Sequence, residues 1–159
     1  MNDQGREPLL IKDQLDSSGP IQSGGGGRLR RHRSDGVLIS RERLVHENIE
    51  ASKSLAEDGF HLAVLDLRRL SPLDRTLINE TVRAAGGNAV VVHEANRIGS
   101  FGAEIAAHIS EACRGSGARP MRRIGTPDSR IPAASNLHRS LIPGGRRIHE
   151  EIQAWMGKS

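Results

Sequence analysis

The chain has no tyrosine, one tryptophan, two phenylalanines and one cysteine in 159 residues. Each shortage excludes something. Modules that read single-stranded nucleic acid stack bases on aromatic faces, and aromatics at 2% of the chain do not supply such a platform. A lone cysteine, Cys113, rules out an internal disulfide and any multi-cysteine metal cage. No run approaches the roughly 20 apolar residues of a membrane span. The opening MNDQGREPLL lacks a basic-then-apolar leader pattern, so the chain reads as soluble and cytoplasmic. Charge of one sign is also scarce, the net being +4. Twenty Arg against three Lys looks like codon bias more than a binding adaptation.

What is present divides near residue 35. Residues 1–34 hold Ser17-Ser18-Gly19-Pro20 and Ser23-Gly24-Gly25-Gly26-Gly27, which are linker compositions. Leu9-Leu10-Ile11 is the apolar run of this segment. The basic run Arg28-Leu29-Arg30-Arg31-His32-Arg33 has two readings. One is a phosphate or nucleic-acid contact; the other is an edge strand or solvated linker. Without interleaved aromatics the second is preferred, and a nucleic-acid partner is not expected.

From Asp35 the pattern alternates strand and helix. Val37-Leu38-Ile39, His61 to Leu67, Ala89 to Val92 and Met121 to Ile124 are apolar runs of strand length. Leu44, Val45, Ile49, Ser52, Leu55 and Ala56 share one helical face, with Ser40 expected to cap it and Gly59 to stop it. Ser71-Pro72-Leu73-Asp74 predicts a helix start with Ser71 as cap and Pro72 at the first helical position. That helix turns Leu73, Leu77, Ile78 and Val82 inward as far as Gly86-Gly87. A turn from Gly99 to Gly102 precedes a helix facing Ile105, Ala106, Ile109, Ala112 and Cys113 inward, with Gly115 as its stop. A Pro-rich crossing then leads to a last helix carrying Ile148, Ile152 and Trp155. Strands separated by helices give a three-layer α/β sandwich with a mostly parallel sheet of about five strands over residues 35–156.

Open α/β sheets place their sites at the carboxyl ends of the strands. Those ends are Ser40-Arg41-Glu42, Asp66-Leu67-Arg68, His93-Glu94 and Gly125-Thr126. His93-Glu94 is the most acid–base-like pair, although a strand-end pair bonded to backbone fits equally. His-Glu recurs at 46–47, 93–94 and 149–150, but the second histidine that a zinc helix needs is Glu50, Arg97 or Gln153 instead. Gly99-Ser100-Phe101-Gly102 lacks the Lys of a P-loop, and close packing is its preferred reading. Cys113 lies on an apolar face and reads as core. No catalytic constellation emerges from these residues.

Four segments taken together resemble the C-terminal domain of the transketolase superfamily. The nearest likeness is to the beta subunit of the thiamine-diphosphate-dependent first component of 2-oxo-acid dehydrogenase complexes of pyruvate, branched-chain or acetoin type. The segments are Leu44 to Glu47, Val64 to Asp74, Val90 to Ala106, and Pro120 to Asp128 running on to Pro132. They single out Ser71, Pro72, Asp74, His93, Glu94, Gly99, Gly102, Glu104, Pro127 and Asp128 as motif or interface candidates. The resemblance implies a Rossmann-like fold. It also implies that residues 7–11 match the last strand of a preceding pyrimidine-binding domain.

In that family a Gly-Asp-Gly motif holds magnesium and the diphosphate, and a glutamate of the pyrimidine-binding domain activates the cofactor. Neither fits into residues 1–34, so no cofactor is expected on this chain alone. Thiamine diphosphate and magnesium belong to the assembled enzyme. The implied partners are an alpha subunit, a chain carrying the pyrimidine-binding domain, and the acyltransferase core, within a homo- or hetero-oligomer. Alternatives are a stand-alone interaction or anion-binding domain, or a degenerate fragment without function. Where the family carries an aromatic–Gly pair this chain has Arg41-Glu42, which predicts strain at that turn or a reshaped carboxyl-end surface. Ala133 and His138-Arg139 are further departures.

Overall fold

The structure is a computed structural model that describes residues 27–31, 35–113, 118–127 and 141–157. Five strands and four helices are found there: β1 Arg28–Arg31, β2 Gly36–Ser40, α1 Arg43–Glu57, β3 Leu62–Asp66, α2 Arg75–Ala84, β4 Ala89–Asn96, α3 Phe101–Ala112, β5 Arg122–Thr126 and α4 Gly145–Gly157. The sheet order is β1-β3-β2-β4-β5. β3, β2, β4 and β5 run parallel, and β1 pairs antiparallel with β3. The described part of the Arg-rich run, Arg28–Arg31, is therefore an edge strand of this sheet, and the sheet reaches upstream of position 35.

Every residue of β2 and β3 is buried, as expected of strands covered on both faces. Alternation along the strands sends Leu38, Val64, Val90, Val92 and Ile124 to one face, against α1 and α4. Val37, Ile39, Leu65 and Val91 go to the other face, against α2 and α3. The result is the three-layer α/β sandwich that the alternating pattern predicts. On α4, Met156 is buried with Ile148 and Ile152, while Trp155 is half-buried and donates from Nε1 to the Pro120 carbonyl at 2.9 Å. No described helix is long and apolar enough to cross a membrane.

The helix starts differ from the sequence reading. Ser40 belongs to β2 and does not cap α1; its Oγ accepts from Asn48 Nδ2 at 2.8 Å, inside the core. α2 begins at Arg75, and Asp74 is the cap, accepting from the Leu77 backbone N–H at 3.0 Å. Ser71 and Pro72 are exposed, joined by a cis peptide, and lie before the helix. β4 runs to Asn96, so His93 and Glu94 lie inside the strand and not beyond it. Leu9-Leu10-Ile11, Gly115, Asp128, Ala133 and His138-Arg139 fall outside the described residues.

Glu42 stands between β2 and α1 with φ 53 and ψ −130. A side chain at this positive φ clashes with its own backbone, whereas glycine adopts it freely. The Glu42 carboxylate is exposed and contacts the adjacent Arg41. Glu42→Gly relieves strain of about 1–3 kcal/mol and adds back about 1 kcal/mol of unfolded-chain entropy. We expect a net gain in thermal stability, readable as a higher Tm. An unchanged or lower Tm contradicts the strain.

Candidate functional site at the carboxyl edge of the sheet

The carboxyl ends of the parallel strands bring together the residues where this architecture places chemistry. At β3, Asp66 is buried and its carboxylate accepts from Arg30 Nη2 at 2.8 Å and from the Arg68 backbone N–H at 3.1 Å. At β2, Ser40 is bonded to Asn48, a side chain with no exposure whose Oδ1 has no described partner. At β5, Thr126 Oγ1 donates to Asn96 Oδ1 at 2.9 Å. Each of these residues is bonded to another across neighbouring elements.

His93 is different. Its ring lies between the first turn of α3 and β5, where two glycines make room. A Cβ built on Gly102 would come within 2.6 Å of His93 Cδ2, and one on Gly125 within 2.8 Å of Cε1. Both imidazole nitrogens are buried without a described partner. Burial disfavours the charged ring, and the nearby Arg123 and Arg97 repel a proton further, so its pKa lies below the ordinary 6.5. The neutral ring stabilises the fold most fully above pH 6.5. That contribution is lost as pH falls from 6.5 through the lower folded value, because the unfolded chain then binds the proton first.

The other candidates do not converge on His93. Glu94 is exposed, with Arg43 at 3.4 Å. Gly99 adopts φ 67 in the turn before α3. Glu104 is an exposed acid in the first turn of α3, where the helix dipole favours a negative charge. Asp74 caps a different helix. Pro127 is exposed just after β5, and Asp128 is not described. Sequence reasoning misses Asn48 altogether, and it names Gly125 only as a strand end, not as part of the seat of His93. Asn48 has a detectable signal, since it lies four residues after Leu44 on the inward face of α1.

Cys113 is buried at the end of α3, and its Sγ donates to Asn79 Oδ1 at 2.9 Å. Burial pushes the thiol above its ordinary pKa, against the weaker pull of Arg83. His108 completes the seam between α2 and α3. Its Nδ1 lies 2.8 Å from Arg75 Nη1, which can only donate, so Nε2–H faces the same Asn79 oxygen at 2.8 Å. Burial and Arg75 lower the His108 pKa, opposed by Glu111. A high-pKa thiol and a neutral imidazole that share one acceptor form no thiolate–imidazolium pair.

The three His-Glu pairs have three separate uses. Glu47 accepts from the Gly145 N–H at 2.6 Å and so holds the start of α4. His93 fills the space between Gly102 and Gly125. His149 Nε2 meets Asp58 at 2.7 Å, tying α4 to the end of α1. Among the described residues no three of His, Cys, Asp and Glu converge to hold a metal. The buried carboxylate at the strand ends, Asp66, is engaged by Arg30 and Arg68. The described residues therefore do not fit a magnesium–diphosphate group.

A family model described as "Transketolase, C-terminal domain" matches residues 25–148. Pyruvate dehydrogenase E1 component subunit beta of Staphylococcus epidermidis is 32% identical over 132 residues, 82% of this chain and 39% of that protein. The 2-oxoisovalerate dehydrogenase subunit beta of Bacillus subtilis is 33% identical over 124 residues, 78% of this chain and 37% of that one. The chain thus spans about two-fifths of the length of these relatives. Among solved structures, one described as "Split gene transketolase, inactive beta4 tetramer" superposes with TM-score 0.70 at 23% identity, over 86% of this chain and 44% of that one. A Pichia stipitis transketolase gives TM-score 0.55 at 11% identity, over 84% and 18%. These two likenesses show the fold.

The packing of His93 makes a separable prediction. Gly102→Ala costs about 1–3 kcal/mol of unfolding free energy through overpacking. Most of that cost disappears in a His93→Ala background, because all three near atoms belong to the ring. Gly125→Ala stays destabilising in both backgrounds, since the Ala95 carbonyl oxygen also lies 2.8 Å from the added Cβ. Urea denaturation of the single and double variants measures both couplings. Equal costs for Gly102→Ala with and without the ring contradict this packing.

Proposed function

The chain belongs to the transketolase C-terminal domain family, and on that premise we propose that it is an assembly and docking domain of a thiamine-diphosphate-dependent 2-oxo-acid dehydrogenase component. It works in the cytoplasm together with an alpha subunit, a chain carrying the pyrimidine-binding domain and the acyltransferase core. Thiamine diphosphate and magnesium are held by those other domains.

One observation carries this reading. The matched segments place their polar residues in the fold's own joints. Asp74 caps α2, Glu47 holds α4, and His93 is enclosed by two glycine positions that leave no space for a methyl group. A ring so enclosed and biased toward neutrality is suited to positioning β4, β5 and α3. It is poorly placed to exchange protons with a substrate. The relatives at 32–33% identity bear the names of beta subunits, which supports a role inside a larger enzyme.

The test is reconstitution with purified chains. Alone, the chain is expected to release no carbon dioxide from pyruvate or branched-chain 2-oxo acids, and thiamine diphosphate with magnesium leaves its Tm unchanged. With the alpha subunit and the pyrimidine-binding domain it co-purifies, and 2-oxo-acid decarboxylation appears. Decarboxylation by the chain alone, or failure to co-purify with those chains, contradicts the proposal.

A further inference from the structure

Two buried guanidinium nitrogens lack an acceptor. Arg30 Nε and Arg41 Nε are shut off from water and have no described hydrogen-bond partner. A buried donor without an acceptor costs free energy, so each of them calls for one. They belong to β1 and to the residue just after β2, the strands that flank β3.

The register gathers more arginines at the same place. Arg28 and Ser40 both stand opposite Asp66, at the carboxyl end of β3. Arg30 reaches that end through its bond to Asp66. The Leu67 N–H donates to the Ser40 carbonyl at 2.9 Å, so the two chains are still side by side where Arg41 and Arg68 begin. Both then turn sharply, with φ 53 at Glu42 and φ 47 at Arg68. Arg28, Arg30, Arg41, Arg68 and Arg69 thus meet only the carboxylates of Asp66 and Glu42 at this end of the three strands.

Those two acids leave the group positive. Asp66 is shared, its Oδ2 lying 2.8 Å from Arg30 Nη2 and 3.9 Å from Arg68 Nε. Glu42 contacts Arg41 at Nη2 and leaves Nε unused. Arg69 adds an exposed charge. The side chains of Arg41 and Arg68 are open enough for an incoming group to reach, while Asp66 holds Arg30 from behind.

The donors select the acceptor. Guanidinium forks pair with the oxygens of a carboxylate or a phosphate. A monocarboxylate brings a single charge and duplicates what Asp66 already supplies. A phosphate monoester brings close to two charges and three acceptor oxygens, which can serve N–H groups from two different strands. A long polyanion fits less well. Toward β4 the edge carries Glu94, 3.4 Å from Arg43 Nε, so the positive field does not continue along the strand ends.

We propose that the arginines at the carboxyl end of β1, β3 and β2, with Arg30, Arg41 and Arg68 at their centre, bind the phosphate group of a small phosphorylated ligand. This site is separate from the assembly role and stands or falls without it.

NMR of the arginine Nε–H signals tests it, in the full chain at neutral pH and fixed ionic strength, titrated with inorganic phosphate and with glycerol phosphate. The Arg30 and Arg41 signals are expected to shift together and to saturate. Arg41→Gln weakens binding by about fivefold or more, and Glu42→Gln, which frees the Arg41 fork, tightens it by about threefold. Damage to the fold does not produce tighter binding, so Glu42→Gln decides the matter if Arg41→Gln melts early. Thiamine diphosphate with magnesium leaves the signals in place, because its metal and thiazolium offset the phosphate charge. Absence of a saturable shift, an equal response to acetate, or a Glu42→Gln chain that binds no tighter overturns the site. Duplex DNA that saturates the same signals at far lower concentration overturns the small ligand as occupant. Co-purification with the alpha subunit and the pyrimidine-binding domain judges the assembly role independently.

Discussion

The ring of His93, seated where Gly102 and Gly125 lack side chains, joins three elements at once. It projects from β4, touches the first turn of α3 and fills the gap over β5. The bulge in the β4–β5 register between Val92 and Asn96 lies at the same place. An imidazole gives a flat, compact filling, and the two glycines let backbone approach it closely. The seat constrains chemistry as well as shape. With burial and two arginines opposing a proton, the ring is held neutral where a strand-end histidine in water would titrate.

The remaining strand ends obey the same logic. In many α/β enzymes the carboxyl edge presents open polar groups to a ligand. Here Asp66 meets Arg30, Ser40 meets Asn48, and Asn96 meets Thr126. Buried polar groups paired across elements specify how those elements dock, since breaking one partner leaves the other unsatisfied. The edge behaves as a joint between structural pieces, in keeping with a domain whose relatives bear the names of enzyme subunits.

Much of the architecture was legible because it rests on periodicity. Runs such as Val64-Leu65 and Val90-Val91-Val92 can satisfy burial on both faces only in a covered sheet. The inward faces of α1 and α3 followed from helical spacing. Capping was harder to read. Ser40 and Ser71 are good caps by residue type, but Ser40 is drawn into the core by Asn48, and the exposed Ser71-Pro72 pair precedes a helix that Asp74 starts. Polar His93 and Glu94 suggest a strand end at Val92, but β4 continues to Asn96, with the His93 ring packed against Gly102 and Gly125. The strained turn at Glu42 was visible only through the family likeness, since nothing in an isolated Arg-Glu pair demands a positive φ. The enclosure of His93 was not legible at all. It depends on Gly125, more than thirty residues away, meeting Gly102 across the ring.

His93, the most catalytic-looking residue of the sequence, is a neutral packing group. An NMR pH titration of the imidazole in the folded chain measures this directly. The titration midpoint is expected below the ordinary 6.5, with the neutral ring persisting into mildly acidic solution. A midpoint at or above 6.5 would contradict it, because such a ring would have to be solvated or paired with an acid.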